Sequence, residues 1–465
     1  MSVNIDELRA PDGVDPSFGD KGIFVVPSIE IPGAELDTVM LVVEPVVSGA
    51  TGKIYLGCQE TGPAGHSAKE GRAVAQYLVR LTEDGHLDET FGAGGYCRLP
   101  RFSSRQAMFI FTSITFGTDG VLTCLGSVME LGDSGPNFYP SMFRVTEAGS
   151  IDTSFGRGGY QIYRVPLPST ALLTLDPSNS GETVAQPPVF DQTKLSHEGI
   201  NKSSGAVLLA DGKITFLANV YDPNFNLVCS YLARINIDGA LDTSFGEQGL
   251  ILLTTDDASG ELLKCEVITT DSQGKIIVLG ASANGLSYAA TAARFDVNGL
   301  LDNSFGKGGR LSVHVLGKQI RPVGIIPTER NYIFVFGVYG GAQTTALIQV
   351  LANGDIDPDF NGGKPAFADL RPNGFVPHDA AMDQGRRIGI SGSRQALEAN
   401  IPQMTAVVAR FMPGGMLDQG FGISGYAIYD DYFVFRSIEV QGIQKILVIG
   451  NRMGGGVGVV TRLIG

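Results

Sequence analysis

Histidine is the side chain best suited to bind a metal ion or transfer a proton near neutral pH, and this chain of 465 residues has five. His66 and His197 lie in two long polar segments, whereas His378 lies beside Asp379 in the apolar stretch VPHDAAM. Three histidines that met at one point could bind a divalent metal ion. Their spacing matches no metal-binding motif, so the sequence favours separate, solvent-exposed histidines. We therefore expect no metal ion and no other cofactor.

Two acidic residues share the long polar segments, Glu70 in the first and Asp191 in the second. The candidate ligand-binding residues are therefore His66, Glu70, Asp191, His197, His378 and Asp379. The chain contains neither a G-x-S-x-G motif nor a P-loop. We expect no catalytic residue.

A metal-dependent hydrolase or lactonase is the alternative function that the residues leave open. Such an enzyme would need several carboxylates to converge on one metal ion. The apolar segments that could line a central channel carry Glu266, Asp271, Asp379 and Glu439. The aspartates that recur along the chain lack the D-x-[DN]-x-[DN]-G spacing of a calcium loop.

The elements that position these residues follow from a phrase that occurs seven times, as in LDETFGAGG (87–95) and LDNSFGKGG (301–309). Successive copies of its Phe lie 73, 64, 90, 60, 55 and 61 residues apart, so the repeat unit has about sixty residues. A fixed period of this kind indicates a repeat architecture. Each unit contains four short segments rich in Val, Ile, Leu and Phe, which predict antiparallel strands. We name them D, directly after the phrase, then A, B and C.

An Asp occupies the second position of every copy of the phrase. We expect its carboxylate to accept hydrogen bonds from backbone N–H groups and to cap a single helical turn. The residue after the Phe is Gly in six copies and Asn361 in the other, which indicates a positive φ. The seven aspartates are Asp15, Asp88, Asp152, Asp242, Asp302, Asp357 and Asp418.

Strand C carries an Arg at one position in six units and Gln349 in the seventh. A charge that recurs inside an apolar strand needs a fixed partner, and we expect the Asp of the same unit to form a partly buried ion pair with it. We assign these residues to the scaffold. The arginines are Arg80, Arg144, Arg234, Arg294, Arg410 and Arg462.

Strand B ends with Gly in six units, which predicts close packing between sheets or a bulge. These glycines are Gly57, Gly126, Gly280, Gly337, Gly392 and Gly450.

Four antiparallel strands in each of seven units predict an all-β fold, a seven-bladed β-propeller. The chain ends in a strand C and begins with the phrase and a strand D at 22–27. We therefore expect the N-terminal strand to complete the C-terminal blade, three strands plus one, because closure hides the exposed sheet edges. Residues 1–465 are predicted to form a single propeller domain with insertions at 59–73 and 166–204.

The phrase DGxLDxSFGxGG, with strands such as KIIVLG, resembles the delta-60 repeat family of bacterial proteins. The resemblance covers the chain from about residue 11 to its end. It implies a β-propeller, and the family carries no established activity or catalytic motif.

The loops divide into two sets if strand A is innermost. The A–B and C–D loops share one face and are uniform, whereas the B–C and D–A loops share the other face and carry both insertions. Variable loops on a rigid frame commonly carry function. We therefore expect a non-catalytic binding module or interaction scaffold, with a protein or glycan ligand on the B–C/D–A face. The alternative is that the long insertion only covers apolar surface.

The composition indicates which binding partners and which cellular compartment are favoured. The formal charge of −14 disfavours nucleic acid. The five cysteines form no CxxC pair, which indicates reduced thiols rather than a zinc site. The N-terminus lacks the features of a signal peptide, and no apolar run reaches the roughly 18 residues of a membrane span. We expect a cytoplasmic monomer that does not bind membranes.

Overall fold

The structure is a computed structural model in which seven four-stranded antiparallel sheets are arranged as blades around a central axis. The described residues are 13–26, 39–47, 51–61, 75–100, 107–117, 120–132, 135–164, 205–221, 227–255, 263–282, 288–340, 343–370, 374–398, 401–429, 432–441, 445–452 and 458–464.

The blades are numbered in chain order, and their strands run from A to D. Blade 1 contains β2 (Val39–Val47), β3 (Ile54–Thr61), β4 (Ala75–Leu81) and β5 (Tyr96–Arg98); blade 2 contains β6 (Ala107–Phe116), β7 (Leu122–Gly132), β8 (Gly135–Val145) and β9 (Tyr160–Ile162); blade 3 contains β10 (Ala206–Leu208), β11 (Ile214–Tyr221), β12 (Leu227–Ile235) and β13 (Leu250–Leu253). Blade 4 contains β14 (Leu263–Thr270), β15 (Ile276–Ser282), β16 (Ala290–Phe295) and β17 (Arg310–Val313); blade 5 contains β18 (Gln319–Pro327), β19 (Asn331–Tyr339), β20 (Thr344–Leu351) and β21 (Ala366–Ala368). Blade 6 contains β22 (Val376–Met382), β23 (Ile388–Glu398), β24 (Ile401–Phe411) and β25 (Tyr426–Tyr429); blade 7 contains β26 (Tyr432–Gln441), β27 (Lys445–Arg452), β28 (Gly458–Ile464) and, from the N-terminal end, β1 (Ile23–Val25).

Strand A is the innermost strand of each blade. The A strands of neighbouring blades contact one another around the ring, and β26 of blade 7 contacts β2 of blade 1. The B–C and D–A loops therefore lie on one face of the ring and the A–B and C–D loops on the other.

The predicted closure of the ring by both ends of the chain is confirmed. Strand β1 pairs antiparallel with β28, and Ile23 lies opposite Thr461. The Asp15 N–H donates to the Arg462 carbonyl at 2.8 Å, which extends the pairing beyond the strand. Blade 7 thus gains a fourth strand, and β28 is paired on both of its edges.

The hydrophobic core is divided among the junctions between blades. In the described part of the chain, buried apolar side chains form seven clusters, each built from two neighbouring blades. The Phe of each phrase fills one of these clusters. Phe18, Phe91 and Phe245, for example, have no exposed surface.

The Asp of the phrase accepts a backbone N–H, as predicted, and it does so in an Asx turn, a single turn that in most copies does not continue as a helix. Asp15 Oδ1 accepts the Ser17 N–H at 3.0 Å, and the Phe18 N–H donates to the Asp15 carbonyl at 3.1 Å. The next residue, Gly19, has a φ of +54°, as Asn361 has +51° in the sixth copy. This left-handed conformation, which the sequence did predict, ends a right-handed helix before it forms. Only the sixth copy continues into a 3-10 turn, at Asn361–Gly363, among the described residues.

Strand A bulges opposite the glycine of strand B, so the second of the two predicted explanations is correct. In blade 4, Cys265 pairs with Gly280 and Val267 with Leu279, which leaves Glu266 as the extra residue. A Cβ on Gly280 would lie 2.5 Å from the Lys264 carbonyl oxygen, so only Gly fits there. The bulged residues are Glu44, Thr112, Glu266, Val323, His378 and Arg436.

No helix among the described residues is long and apolar enough to cross a membrane.

Candidate functional site

Two of the six candidate residues lie together in the structure, and they do not lie in a loop. His378 and Asp379 are buried in strand β22, at and directly after the bulge of blade 6. They therefore lie on an innermost strand, formed by the apolar stretch around them, and not in a loop of the B–C/D–A face, where a ligand was expected. The other candidates lie outside the described residues, namely His66, Glu70, Asp191 and His197.

The bulges place polar side chains at one level of the innermost strands. Bulges redirect side chains and are frequent beside functional sites. Blades 6 and 7 present His378 and Arg436 at this level, and Arg321 lies opposite Gly337 in strand β18 of blade 5. Three neighbouring blades thus contribute a cationic or imidazole group. We call Arg321, His378 and Arg436 the inner basic cluster.

His378 is neutral at physiological pH. Its side chain is buried, and Nε2 lies 3.1 Å from the Ser393 hydroxyl. Burial, together with the positive charges of Arg436 and Arg321, lowers the pKa of His378 to about 3. The imidazole therefore acts as a hydrogen-bonding group and carries no charge of its own.

Asp379 connects blade 6 to the bulge of blade 7. Its Oδ2 accepts hydrogen bonds from the Ser437 hydroxyl at 2.8 Å and from the Ile438 N–H at 3.0 Å. Oδ1 accepts the Ala380 N–H at 2.8 Å. Because Ser437 directly follows the bulged Arg436, the Asp379 carboxylate holds the backbone that presents this arginine. We describe Asp379 as a positioning residue.

Arg436 is a largely buried cation without a hydrogen-bond or ion-pair partner among the described residues. Its Nε is inaccessible to solvent and has no hydrogen-bond acceptor, and within the described part of the chain the guanidinium forms no ion pair. Burial lowers its pKa. A buried charge without a partner destabilises the folded state, so its presence calls for an explanation other than folding.

The carboxylates expected of a metal-dependent enzyme are not gathered at one point. Glu266 is paired with Lys264, whose Nζ lies 3.4 Å from Oε1. Asp271 lies in the A–B turn of blade 4, at the far end of the strand, and accepts the Tyr332 hydroxyl at 2.8 Å. Among the described residues, no three His, Cys, Asp or Glu side chains are grouped as a metal site.

The arginines of strand C form the predicted ion pairs. In five of the six pairs Arg Nε or Nη2 lies 2.7 to 2.9 Å from the Asp of the same unit, and the Arg144–Asp152 distance is 3.4 Å. In the seventh unit, Gln349 Nε2 donates to Asp357 at 2.5 Å. The hydrogen bonds from Ser17 and the charge of Arg462 outweigh burial and lower the pKa of Asp15.

Two further contacts of these arginines were not predicted. Each guanidinium lies over the Phe of its own phrase, at 4.4 to 5.5 Å from the ring centroid. Most also donate to a C–D turn of the next blade, as Arg80 Nη1 does to the Glu147 carbonyl at 2.8 Å. At the junction of blades 6 and 7, Arg410 Nη1 is buried without an acceptor. We call this set of Arg, Asp and Phe contacts the junction network.

A surface cavity of about 270 Å³ lies between blades 2 and 3 on the A–B/C–D face. Arg144, Phe155, Asp211 and Val121 are among its lining residues. Val121 stands where blades 1, 3 and 4 have Lys53, Lys213 and Lys275, which pair with the Asp of the phrase. The missing lysine leaves space beside the longest Arg–Asp pair.

The architecture defines this protein as a seven-bladed β-propeller closed by its N-terminal strand. Residues 209–245 match a family model described as Domain of unknown function (DUF5122) beta-propeller. This stretch contains strands β11 and β12 and ends at the Phe of the phrase. No curated protein matches the chain.

Solved structures resemble the chain at low identity. A polysaccharide lyase is 10% identical with a TM-score of 0.45, over 96% of this chain and 93% of the lyase. An α-L-arabinofuranosidase from Fusarium graminearum is 10% identical with a TM-score of 0.42, over 81% of this chain and 94% of that one. The sialidase of Trypanosoma rangeli is 10% identical with a TM-score of 0.39, over 81% of this chain and 56% of the sialidase. Likeness at this level assigns no activity to the chain.

Proposed function

We propose that this protein is a non-catalytic binding module that takes a glycan on the B–C/D–A side of its central axis. The observation that supports the proposal is the inner basic cluster, in which three adjacent blades present polar groups at one level. Ligand sites are concave and contain a few convergent polar groups. Arg321 lies near the start of strand β18, the end that faces the D–A loops.

A glycan fits this cluster better than a protein does. Protein interfaces rely on apolar and aromatic anchors. Among the described residues, most exposed large apolar side chains, such as Ile237, Leu300 and Met416, lie on C–D turns of the opposite face, while Tyr288 and Leu316 lie on the B–C/D–A face. The inner strands offer guanidinium and imidazole groups, which suit the hydroxyl and acidic groups of a sugar chain.

Immobilised neutral and acidic oligosaccharides test this proposal. We expect at least one of them to bind, Arg321→Glu to abolish the binding, and Asp211→Arg, in the cavity of the opposite face, to leave it unchanged. Binding that only Asp211→Arg abolishes would place the ligand on the A–B/C–D face and contradict the proposal. Release of cleavage products that EDTA stops would replace the proposal with the metal-dependent hydrolase.

We also propose membership of the delta-60 repeat family, a monomeric state and a cytoplasmic location. The seven copies of the phrase support the first. The five cysteines are buried and unpaired, as is usual in reducing compartments. Mass spectrometry of thiol-blocked protein from the source cell would test the location, since disulfides found there would contradict it.

A further inference from the structure

We infer that Arg436 and His378 form a subsite for one oxyanion of an acidic saccharide, either a carboxylate or a sulfate. The positive charge of Arg321 lies close to this subsite. This inference rests on the proposed function and narrows its ligand. The contacts that support it lie in blades 5, 6 and 7, whose A strands are neighbours in the ring.

The first support is the unmatched charge of Arg436. A guanidinium presents five N–H donors in a planar fork that matches the geometry of an oxyanion. Arg436 Nε has no acceptor, and no ion pair joins the guanidinium to another residue within the described ranges, so its positive charge is left for a ligand. An anion bound there would supply the missing counter-charge and gain charge-assisted hydrogen bonds.

The second support is that the arginine is held in place before any ligand binds. Asp379 fixes the backbone after the bulge through the Ser437 hydroxyl and the Ile438 N–H, at 2.8 and 3.0 Å. A rigid supporting contact of this kind reduces the ordering that binding would otherwise require. The Asp379 carboxylate already accepts three hydrogen bonds from the protein, so we assign it a supporting role and not contact with the ligand.

The third support is the donor that His378 can supply. When Nε2 accepts the Ser393 hydroxyl, the ring proton lies on Nδ1. Nδ1 has no hydrogen-bond partner within the described part of the chain. A neutral imidazole N–H beside two arginines adds a directed hydrogen bond to an oxyanion.

Among the side chains that the structure describes, the carboxylates of the inner strands form no ion pair with Arg436. Glu266 is paired with Lys264 at 3.4 Å in blade 4, and Glu439 lies three residues beyond Arg436 on the same strand. The chain as a whole carries a formal charge of −14. A single cationic subsite in an acidic protein fits a sugar with separated charges better than a dense polyanion such as nucleic acid.

Trigalacturonate and its uncharged methyl ester form a matched pair of probes, and inorganic sulfate is the second oxyanion. Calorimetry should show the acid binding at least about tenfold more tightly than the ester. Arg436→Met should abolish this difference. Arg157→Met, which removes the same charge from an exposed position in the phrase of blade 2, should preserve it. If sulfate also occupies the subsite, it should weaken trigalacturonate binding competitively.

The melting temperature of the unliganded variants gives an independent readout. Because Arg436 is a largely buried charge that no described residue pairs with, Arg436→Met should leave the melting temperature unchanged or raise it. Sodium sulfate should raise the melting temperature of the wild type more than that of Arg436→Met at equal ionic strength. A clear fall in the melting temperature of Arg436→Met would show that the arginine is structural and overturn the inference.

The binding outcomes separate this inference from the proposed function. Equal binding of acid and ester, lost in Arg321→Glu, would keep the glycan module and remove the oxyanion subsite. Acid binding that survives Arg436→Met and is lost in Asp211→Arg would overturn both. Failure of both trigalacturonate and sulfate to bind would overturn the oxyanion subsite, while a neutral oligosaccharide that still bound would keep the module.

Discussion

The junction network and the inner basic cluster both contain buried or partly buried arginines, but the partners of these charges differ. Arg234 has a carboxylate at 2.7 Å, a ring centroid at 4.4 Å and a carbonyl of the next blade as partners. Even Arg410, whose Nη1 lacks an acceptor, keeps its carboxylate and its ring. In the part of the chain that the structure describes, Arg436 has none of these contacts, and the other blades have no arginine at the bulge. A charge that is satisfied and repeated around the ring stabilises the fold, whereas a charge that is unsatisfied and occurs once indicates a ligand.

Removing residues 1–27 should produce the largest loss of stability, because the deletion breaks the junction network at the point where the ring closes. The deletion removes strand β1, leaves the β28 edge exposed, and separates Asp15 from Arg462, whose side chain has no exposed surface. Loss of one partner of a buried pair alone costs about 3–5 kcal/mol. We expect aggregation in size-exclusion chromatography or a fall of more than about 5 kcal/mol in urea unfolding.

A circular permutant provides the control for this truncation. Joining Gly465 to Met1 and opening the chain after the exposed Gly340, at the end of strand β19, keeps every strand of blade 7. We expect the permutant to be close to the wild type in unfolding free energy. A stable truncation together with an unstable permutant would contradict the closure mechanism.

Arg234→Ala and Arg144→Ala compare a tight and a loose member of the junction network. Arg234 lies 2.7 Å from Asp242, while Arg144 lies 3.4 Å from Asp152 and is more exposed. Lys213 remains 2.9 Å from Asp242, so the carboxylate keeps one partner when Arg234 is removed. We expect losses of about 3 kcal/mol for Arg234→Ala and about 1–2 kcal/mol for Arg144→Ala in urea unfolding. Equal losses would show that the distances do not determine the energies.

The junction network was predictable because each of its parts occurs at the same offset in every unit. The Asp and the Phe of the phrase recur seven times and the strand-C Arg six times, each at a fixed spacing. The ion pair between Arg and Asp could therefore be proposed from spacing alone. Stacking of Arg on Phe and the bond to the next blade depend on how blades pack, which spacing within one unit does not encode.

The inner basic cluster was missed because its members differ in residue type. His378 was noticed as a histidine, but its neighbours Arg321 and Arg436 were not singled out. One signal was available, since Glu266, His378 and Arg436 each lie fourteen residues before the glycine of strand B. That glycine indicated a bulge, and counting back from it gives the bulged residue. Which bulged residue lacks a partner depends on neighbouring blades and needs the structure.

His378→Gln should change the pH dependence of stability by an intermediate amount. The folded pKa of His378, about 3, lies below its usual value near 6.5, so the unfolded state takes up the proton first as the pH falls. The wild type should therefore be fully stable above about pH 6.5 and lose up to about 1.4 kcal/mol per pH unit below it. Urea unfolding between pH 6.5 and 4.5 should show a flatter slope for His378→Gln. Parallel slopes would mean that the imidazole is not protected from protonation.

Below about pH 3, where the imidazole of His378 is protonated in the folded and the unfolded state, both proteins should lose stability in parallel, which provides an internal control. Hydrogen bonds from Thr90 and Lys53 and the charge of Arg80 outweigh burial and lower the pKa of Asp88 well below its usual value. A depressed carboxylate contributes stability above its unfolded pKa and loses it as the pH falls through the folded one. This decline belongs to the junction network and should be the same with Gln at position 378.

Val121→Lys should give the smallest effect and the only gain, because it adds to blade 2 the lysine that blades 1, 3 and 4 already have. In those blades the Nζ of Lys53, Lys213 and Lys275 lies 2.7 to 3.0 Å from the Asp of the phrase, with the lysine side chains about one-third exposed. Val121 lines the cavity beside Arg144, so a longer side chain has room there. Such a partly exposed pair contributes about 0.5 kcal/mol. We expect the free energy of urea unfolding to rise by this amount at low salt, and by less in 1 M NaCl. Combining Val121→Lys with Asp152→Asn should remove the gain, because the carboxylate partner is then absent. A gain that persists in the double variant would mean that the lysine stabilises blade 2 by filling the cavity rather than by pairing with the carboxylate.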